Sequence, residues 1–166
     1  MIKAVLIINT AGKVRLLSCY EKGISLAQQQ ALVRSIHRAI SRRGDELCNF
    51  VDNFKEWPTP DTRVIYRRYA TLCFVFVTDS SESQLAILDL IQVFVEALDR
   101  TFENVCELDL IFHSEKVHYT LMEMIMGGMV LEMSRDEILR SLTEMNKLSA
   151  NTAVDSSGLR TVSGYH

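Results

Sequence analysis

Six consecutive residues, Leu72-Cys73-Phe74-Val75-Phe76-Val77, carry no charged or amide side chain. Successive side chains on a strand point to opposite faces, so this run has no face to give to water. It is far too short to span a bilayer. It reads as an interior strand covered on both sides. That demand requires a sheet with a layer above and a layer below, and the rest of the chain must supply both.

The segment order supplies them. Residues 2–9 are apolar and β-rich. Asn9-Thr10-Ala11-Gly12-Lys13 reads as a tight turn with Gly12 free to take positive φ, and 14–20 resume a strand. Ser25 can cap a helix over 26–41 with Leu26, Leu32, Val33, Ile36 and Ile40 on one side; Arg42-Arg43-Gly44 ends it. A short strand fits 47–51, and Pro58 and Pro60 mark 52–62 as a loop. Strands follow at 63–69 and 71–78. Asp79-Ser80-Ser81-Glu82 then opens a helix over 82–102. Eleven of the sixteen residues from Leu85 to Arg100 are apolar, and Asp89, Gln92, Glu96 and Asp99 form a narrow polar stripe. Such a helix must be covered on most sides, by the sheet and by other helices or a partner. Expressed alone, the chain should therefore be poorly soluble.

Residues 104–126 read as one helix ended by Gly127-Gly128, with the methionines from Met122 onward as core filling. A last amphipathic helix over 134–148 starts at Ser134, with Glu137 three residues on. Residues 149–166 are small and polar and read as a disordered tail. The expectation is one α+β domain over 1–148, a five-stranded antiparallel sheet flanked by helices.

Chemistry is sparse. Lys+Arg 18 against Asp+Glu 21 gives a net charge of −3, unlike a general nucleic-acid binder. No phosphate-loop, dinucleotide, zinc-protease or nucleophile-elbow motif occurs. His113 and His118 stand five apart, without a third residue at metal-ligand spacing. The four cysteines, at 19, 48, 73 and 106, include no close pair and read as buried, reduced thiols, with Cys19, Cys73 and Cys106 in or beside apolar runs. The short basic pieces Lys13 with Arg15, Arg42-Arg43 and Arg67-Arg68 read as solvated ends, and the carboxylates of the 82–102 stripe as a solvated face. No catalytic residue, metal or cofactor is expected. No signal-peptide core or apolar run of membrane-spanning length occurs, so a cytoplasmic protein is expected.

Three segments carry a resemblance: MIKAVLIINTAGKVRL, IYRRYATLCFVFV and LAILDLIQVFVEALDRTFENVCELDLIF. They resemble the sigma, or small, chains of the adaptor protein complexes of vesicle coats. The likeness runs from residue 1 to about 148. MIKA, DSSES and MGGMVLE make it closest to the sigma chain of the third adaptor complex. The resemblance implies a longin-like fold, no enzymatic activity, and service in endosomal and lysosomal sorting. It implies a delta-type large chain as direct partner, a beta-type large chain and a mu medium chain in the same complex, and peripheral association with Golgi and endosomal membranes. Another longin-like trafficking protein, such as a coatomer small chain or a longin SNARE regulator, is the alternative.

Sigma chains take part in recognising acidic dileucine signals, Asp/Glu-x-x-x-Leu-Leu/Ile, in cargo tails. By the resemblance, Arg15 would face the acidic residue. Tyr69, Ala70, Thr71 and Leu72 would wall the leucine pockets, with Val95 from the long helix and Asn104, Val105 and Leu110 from the segment after it. Thr71 stands where some sigma chains carry glycine, which bears on the choice between Leu and Ile. Val95→Asp is expected to abolish signal binding and leave folding intact.

Overall fold

The computed structural model describes residues 1–44, 49–131 and 134–157. In chain order the elements are β1 (Ile2–Asn9), β2 (Val14–Cys19), α1 (Leu26–Ser41), β3 (Phe50–Val51), β4 (Arg63–Tyr69), β5 (Leu72–Thr78), α2 (Gln84–Phe102), α3 (Glu107–Phe112), α4 (Ser114–Met124), β6 (Ile125–Met126), β7 (Met129–Val130) and α5 (Arg135–Ser157). Residues 45–48, 132, 133 and 158–166 lie outside the description, and with them the start of the 47–51 strand and the end of the expected tail.

The sheet has five strands in the order β2-β1-β5-β4-β3, each neighbour antiparallel. The apolar run is β5, the middle strand, and every residue in it is buried. Its alternation feeds two cores. Leu72, Phe74 and Phe76 face α2, while Cys73, Val75 and Val77 face α1. Phe74 and Phe76 meet Phe94 of α2 edge-on, at ring-centroid distances of 5.8 and 6.5 Å. Burying a side chain of this size contributes roughly 1.5–3 kcal/mol.

The layer on the α1 side is α1 together with the 52–62 segment. Ser25 and Gln28 form a reciprocal cap at the start of α1, and Leu32, Val33, Ile36 and Ile40 are buried against the sheet. Leu26, expected on that face, is exposed in the first turn. The 52–62 loop closes the rest of this core with Phe54 and Trp57. Two polar contacts hold it down. Lys3 Nζ donates to Thr59 Oγ1, Pro60 O and Thr62 Oγ1 at 2.7–3.0 Å, so this buried ammonium has three acceptors. Trp57 Nε1 donates to Glu21 Oε2 at 2.7 Å.

The other layer corrects the expectation for the long helix. The capping residue is Ser83, so α2 starts at Gln84 rather than 82. Its apolar surface is covered within the chain: Ile87, Leu90, Ile91, Phe94, Val95, Ala97 and Leu98 are buried between the sheet on one side and α4 and α5 on the other. The argument for poor solubility from this helix therefore fails. On α2 itself Leu85, in the first turn, is exposed; further exposed apolar side chains sit on α3 (Leu108, Ile111, Phe112), α4 (Tyr119, Met122) and the β6–β7 hairpin (Met126, Met129). Phe112 is 74% and Met129 68% exposed. Of the methionines expected to fill the core, Met124 does, whereas Met122, Met126 and Met129 do not.

The single helix expected over 104–126 is two. Glu103 and Asn104 take positive φ (+53° and +81°) and turn the chain out of α2. His113, with φ −126°, separates α3 from α4. Gly127-Gly128, expected to end the helix, instead form the turn of the β6–β7 hairpin: α4 stops at Met124, where Ile125 is already extended. Gly128 must be glycine, since a Cβ there would stand 2.3 Å from Ile2 O, where Ile2 N bonds to Gly128 O.

The last helix runs past residue 148 to Ser157. No glycine or proline interrupts 135–157, so nothing ends the helix before Gly158. Among the side chains described, its buried anchors are Ile138 and Leu142. Deleting 150–166 should leave the melting temperature of the chain, and its co-purification with partner chains, unchanged. A truncated chain that melts well below the full one would mean that later turns of α5 carry packing.

Candidate functional site

The β4–β5 turn is two residues long, with Tyr69 paired to Leu72 and Ala70 at φ +50°. It places Tyr69, Ala70, Thr71 and Leu72 beside the C-terminal half of α2 and the turn that follows. Between them lies a groove of about 220 Å³, lined by these four residues together with Phe74, Val95, Asp99, Val105, Cys106 and Glu107. The volume is below the roughly 300–1,000 Å³ of small-molecule sites, and suits side chains better than a cofactor.

Of the nine residues singled out by resemblance, the fold thus brings six to one groove: Tyr69, Ala70, Thr71, Leu72, Val95 and Val105. Val95 is a wall of the groove but only 1% exposed, so it is a core residue as well. Asn104 and Leu110 do not line it. Asn104 is exposed at the left-handed turn, and Leu110, 1% exposed, lies in the core. Arg15 stands at the rim through Glu107.

The walls are braced by the residues read as solvated. Gln92 Oε1 accepts from Arg67 Nη1 at 2.9 Å and from the Tyr69 hydroxyl, and Gln92 Nε2 donates to Glu96 Oε1 at 3.0 Å. Tyr69 is further held edge-on to Phe74, with centroids 5.8 Å apart. Asp99 Oδ1 accepts from Val105 N at 3.0 Å and fixes the turn between α2 and α3. Arg68 Nη2 donates to Ile40 O (3.0 Å) and Arg43 O (3.3 Å), satisfying carbonyls at the end of α1. The expectations of a solvated stripe and solvated basic ends are corrected at Gln92, Glu96, Asp99, Arg15 and Arg67; Arg68 is exposed as expected, with its guanidinium on the carbonyls at the end of α1. Asp89 does stay exposed.

The rim is an ionic junction. Arg15 Nε donates to Glu107 Oε1 at 2.8 Å, and Asn9 Nδ2 donates to the same oxygen at 2.8 Å. Asn9 is itself fixed by its Oδ1, which accepts from Ala11 N and Lys13 N. The Asn9 amide, and then the Arg15 guanidinium, hold the Glu107 carboxyl below the usual carboxylate range. A depressed carboxyl keeps its bridge as pH falls through that range and loses it only on protonation further down.

The cysteines divide. Burial pushes the Cys73 thiol up to about 12, which leaves it protonated near neutral pH. Cys106 is exposed at the start of α3, against the expectation of burial, with Sγ 3.2 Å from Asp109 Oδ2. Among the described residues no group of three metal-ligating side chains comes together, and no helix is long and apolar enough to cross a membrane.

Sequence reasoning missed Glu107, Asn9 and Asp99. Glu107 sits inside the FENVCELDLIF segment, and only the fold shows that it meets Arg15. Asp99 could have been found, since it lies one helical turn after Val95 on the stripe of Gln92 and Glu96.

A longin-like sheet carrying a small, largely apolar groove with an ion pair at its rim has the form of a binding module. The chain belongs to the clathrin adaptor complex small chain family, whose family model matches residues 1–149. It is a small subunit of the adaptor-complex type, a non-enzymatic trafficking component. It is 53% identical over 148 residues to AP-3 complex subunit sigma-2 of Homo sapiens, covering 89% of this chain and 76% of that one. It is 44% identical over 165 residues to AP-3 complex subunit sigma of Arabidopsis thaliana, covering 99% and 98%. A homology model of the full-length AP-3 complex in a stretched open conformation contains a chain that matches with TM-score 0.69 and 39% identity, over 93% of this chain and 99% of that one.

Proposed function

We propose that this chain is the sigma subunit of an AP-3-type adaptor complex and that its groove helps bind acidic dileucine signals in cargo tails. The partners in this reading are a delta-type large chain, which it contacts directly, a beta-type large chain and a mu medium chain. The complex sits peripherally on Golgi and endosomal membranes and coated vesicles. The observation that carries the cargo reading is the convergence of Tyr69, Ala70, Thr71, Leu72, Val95 and Val105 on one groove with a cation at its rim. The exposed apolar side chains of α3, α4 and the β6–β7 hairpin are the surface on which the large chain would lie.

The energetics are modest. Two buried leucines contribute roughly 1.5–3 kcal/mol each, and ordering a flexible tail opposes them, so affinity near micromolar is expected. Arg15 is already bridged to Glu107, so a signal carboxylate must exchange with that side chain. Two variants read this out in a peptide titration of the assembled complex. Arg15→Ser should weaken a Glu-x-x-x-Leu-Leu peptide about twofold to fivefold. Glu107→Gln leaves Arg15 for the peptide and should strengthen it by a similar factor. Equal affinities in all three proteins would remove Arg15 from the recognition scheme.

A further inference from the structure

The surface opposite the apolar one is basic, and nothing in the fold accounts for it. Arg34, Arg38 and Arg42 stand at successive i, i+4 positions of α1 and its cap, all exposed. Like charges at that spacing destabilise a helix. α1 contains no acidic residue to offset them. Among the described residues no carboxylate lies within ion-pair distance of any of the three, in a chain whose net charge is −3.

The stripe is also one wall of a concavity. The β1–β2 turn lies against α1, where His37 Nε2 meets Thr10 O at 3.1 Å. Gly12 comes so close that a Cβ there would stand 2.7 Å from His37 Nδ1. This approach borders a shallow, open groove of about 460 Å³, lined by the three arginines, His37, Ser41 and the Ala11-Gly12 turn, with no carboxylate in its lining. At a rise of 1.5 Å per residue, the Cα atoms of successive arginines in the stripe stand about 6 Å apart along the axis. That spacing matches the separation of phosphates on one small polyphosphorylated molecule, and guanidinium forks suit phosphate oxygens.

We propose that this groove is a binding site for a group bearing several phosphates, carried by a membrane lipid headgroup or by the free anion. It lies across the sheet from the apolar side chains of α3, α4 and β6–β7, so an occupant of that surface leaves it open. The inference is independent of the dileucine reading.

The test uses the full chain co-expressed with adaptor partner chains. Inositol hexakisphosphate is titrated calorimetrically, and phosphatidylcholine vesicles carrying a phosphoinositide, or phosphatidylserine at matched charge, are used for co-sedimentation. The triple variant Arg34→Gln, Arg38→Gln, Arg42→Gln should bind inositol hexakisphosphate at least about tenfold more weakly than wild type, with a shallower salt dependence. The triple variant Lys22→Gln, Lys55→Gln, Lys116→Gln removes the same charge from exposed positions elsewhere and should bind as wild type does. A matching loss on phosphoinositide vesicles identifies the lipid as a source; a loss confined to the soluble probe identifies the free anion. Equal binding by wild type and the arginine variant overturns the site. So does equal weakening by both triple variants, or a loss as large on phosphatidylserine vesicles as on phosphoinositide ones, since either reduces the effect to net charge.

Discussion

Val95→Asp should unfold the chain, or nearly so, before any cargo measurement can be made. Val95 is 1% exposed and belongs to the core formed by α2, the sheet and the later helices. A carboxylate there has no cation within the groove lining to meet it. The cost of an uncompensated buried charge is on the order of 3–5 kcal/mol, against a typical total stability of about 5–15 kcal/mol. This reverses the expectation from sequence, which treated the site as open to water. The sign with pH is also fixed. Burial raises the carboxyl's folded pKa above its unfolded value, so the deficit relative to wild type should shrink as pH falls. Melting curves of the two proteins from neutral to mildly acid pH check both points. A variant that melts with wild type at pH 7 would show that Val95 can reach solvent.

Val105→Asp separates binding from folding. Val105 is half-buried at the mouth of the groove, on the turn between α2 and α3. A carboxylate there can stay hydrated in the empty groove, but an entering leucine would strip its water. Desolvating it without a partner costs several kcal/mol, more than one buried leucine returns. Peptide binding should fall below detection while the chain still folds and assembles. Retained affinity for a Glu-x-x-x-Leu-Leu peptide would place the leucines elsewhere.

Much of the fold was legible because local rules and long-range needs agree. The polar-free β5 run demanded two covering layers, Ser25 and the Arg42-Gly44 stop bounded α1, and Gly12 marked the first hairpin. Failures came where a residue's role depends on a neighbour distant in sequence. Whether α2 is covered by a partner or by α4 and α5 cannot be read from α2, since both coverings require the same apolar surface. The 103–106 turn uses two left-handed non-glycine residues, so no breaker announces it. Glu107 and Arg15 lie 92 positions apart, and their bridge exists only because α3 packs beside β2. The groove wall at 69–72 was legible as the junction of two strands, 63–69 and 71–78. Its character as a binding wall came from the resemblance, and Leu110 shows the limit of that transfer, being sealed in the core.

The most direct measurement is a structure of the assembled complex with a bound acidic dileucine peptide. The expected result places the two leucine side chains between the Tyr69–Leu72 turn and α2. Arg15 should be turned from Glu107 toward the peptide carboxylate, with the Asn9–Glu107 bond kept. A peptide seated on another surface, with the groove empty and the Arg15–Glu107 bridge intact, would contradict the assignment of this groove to cargo.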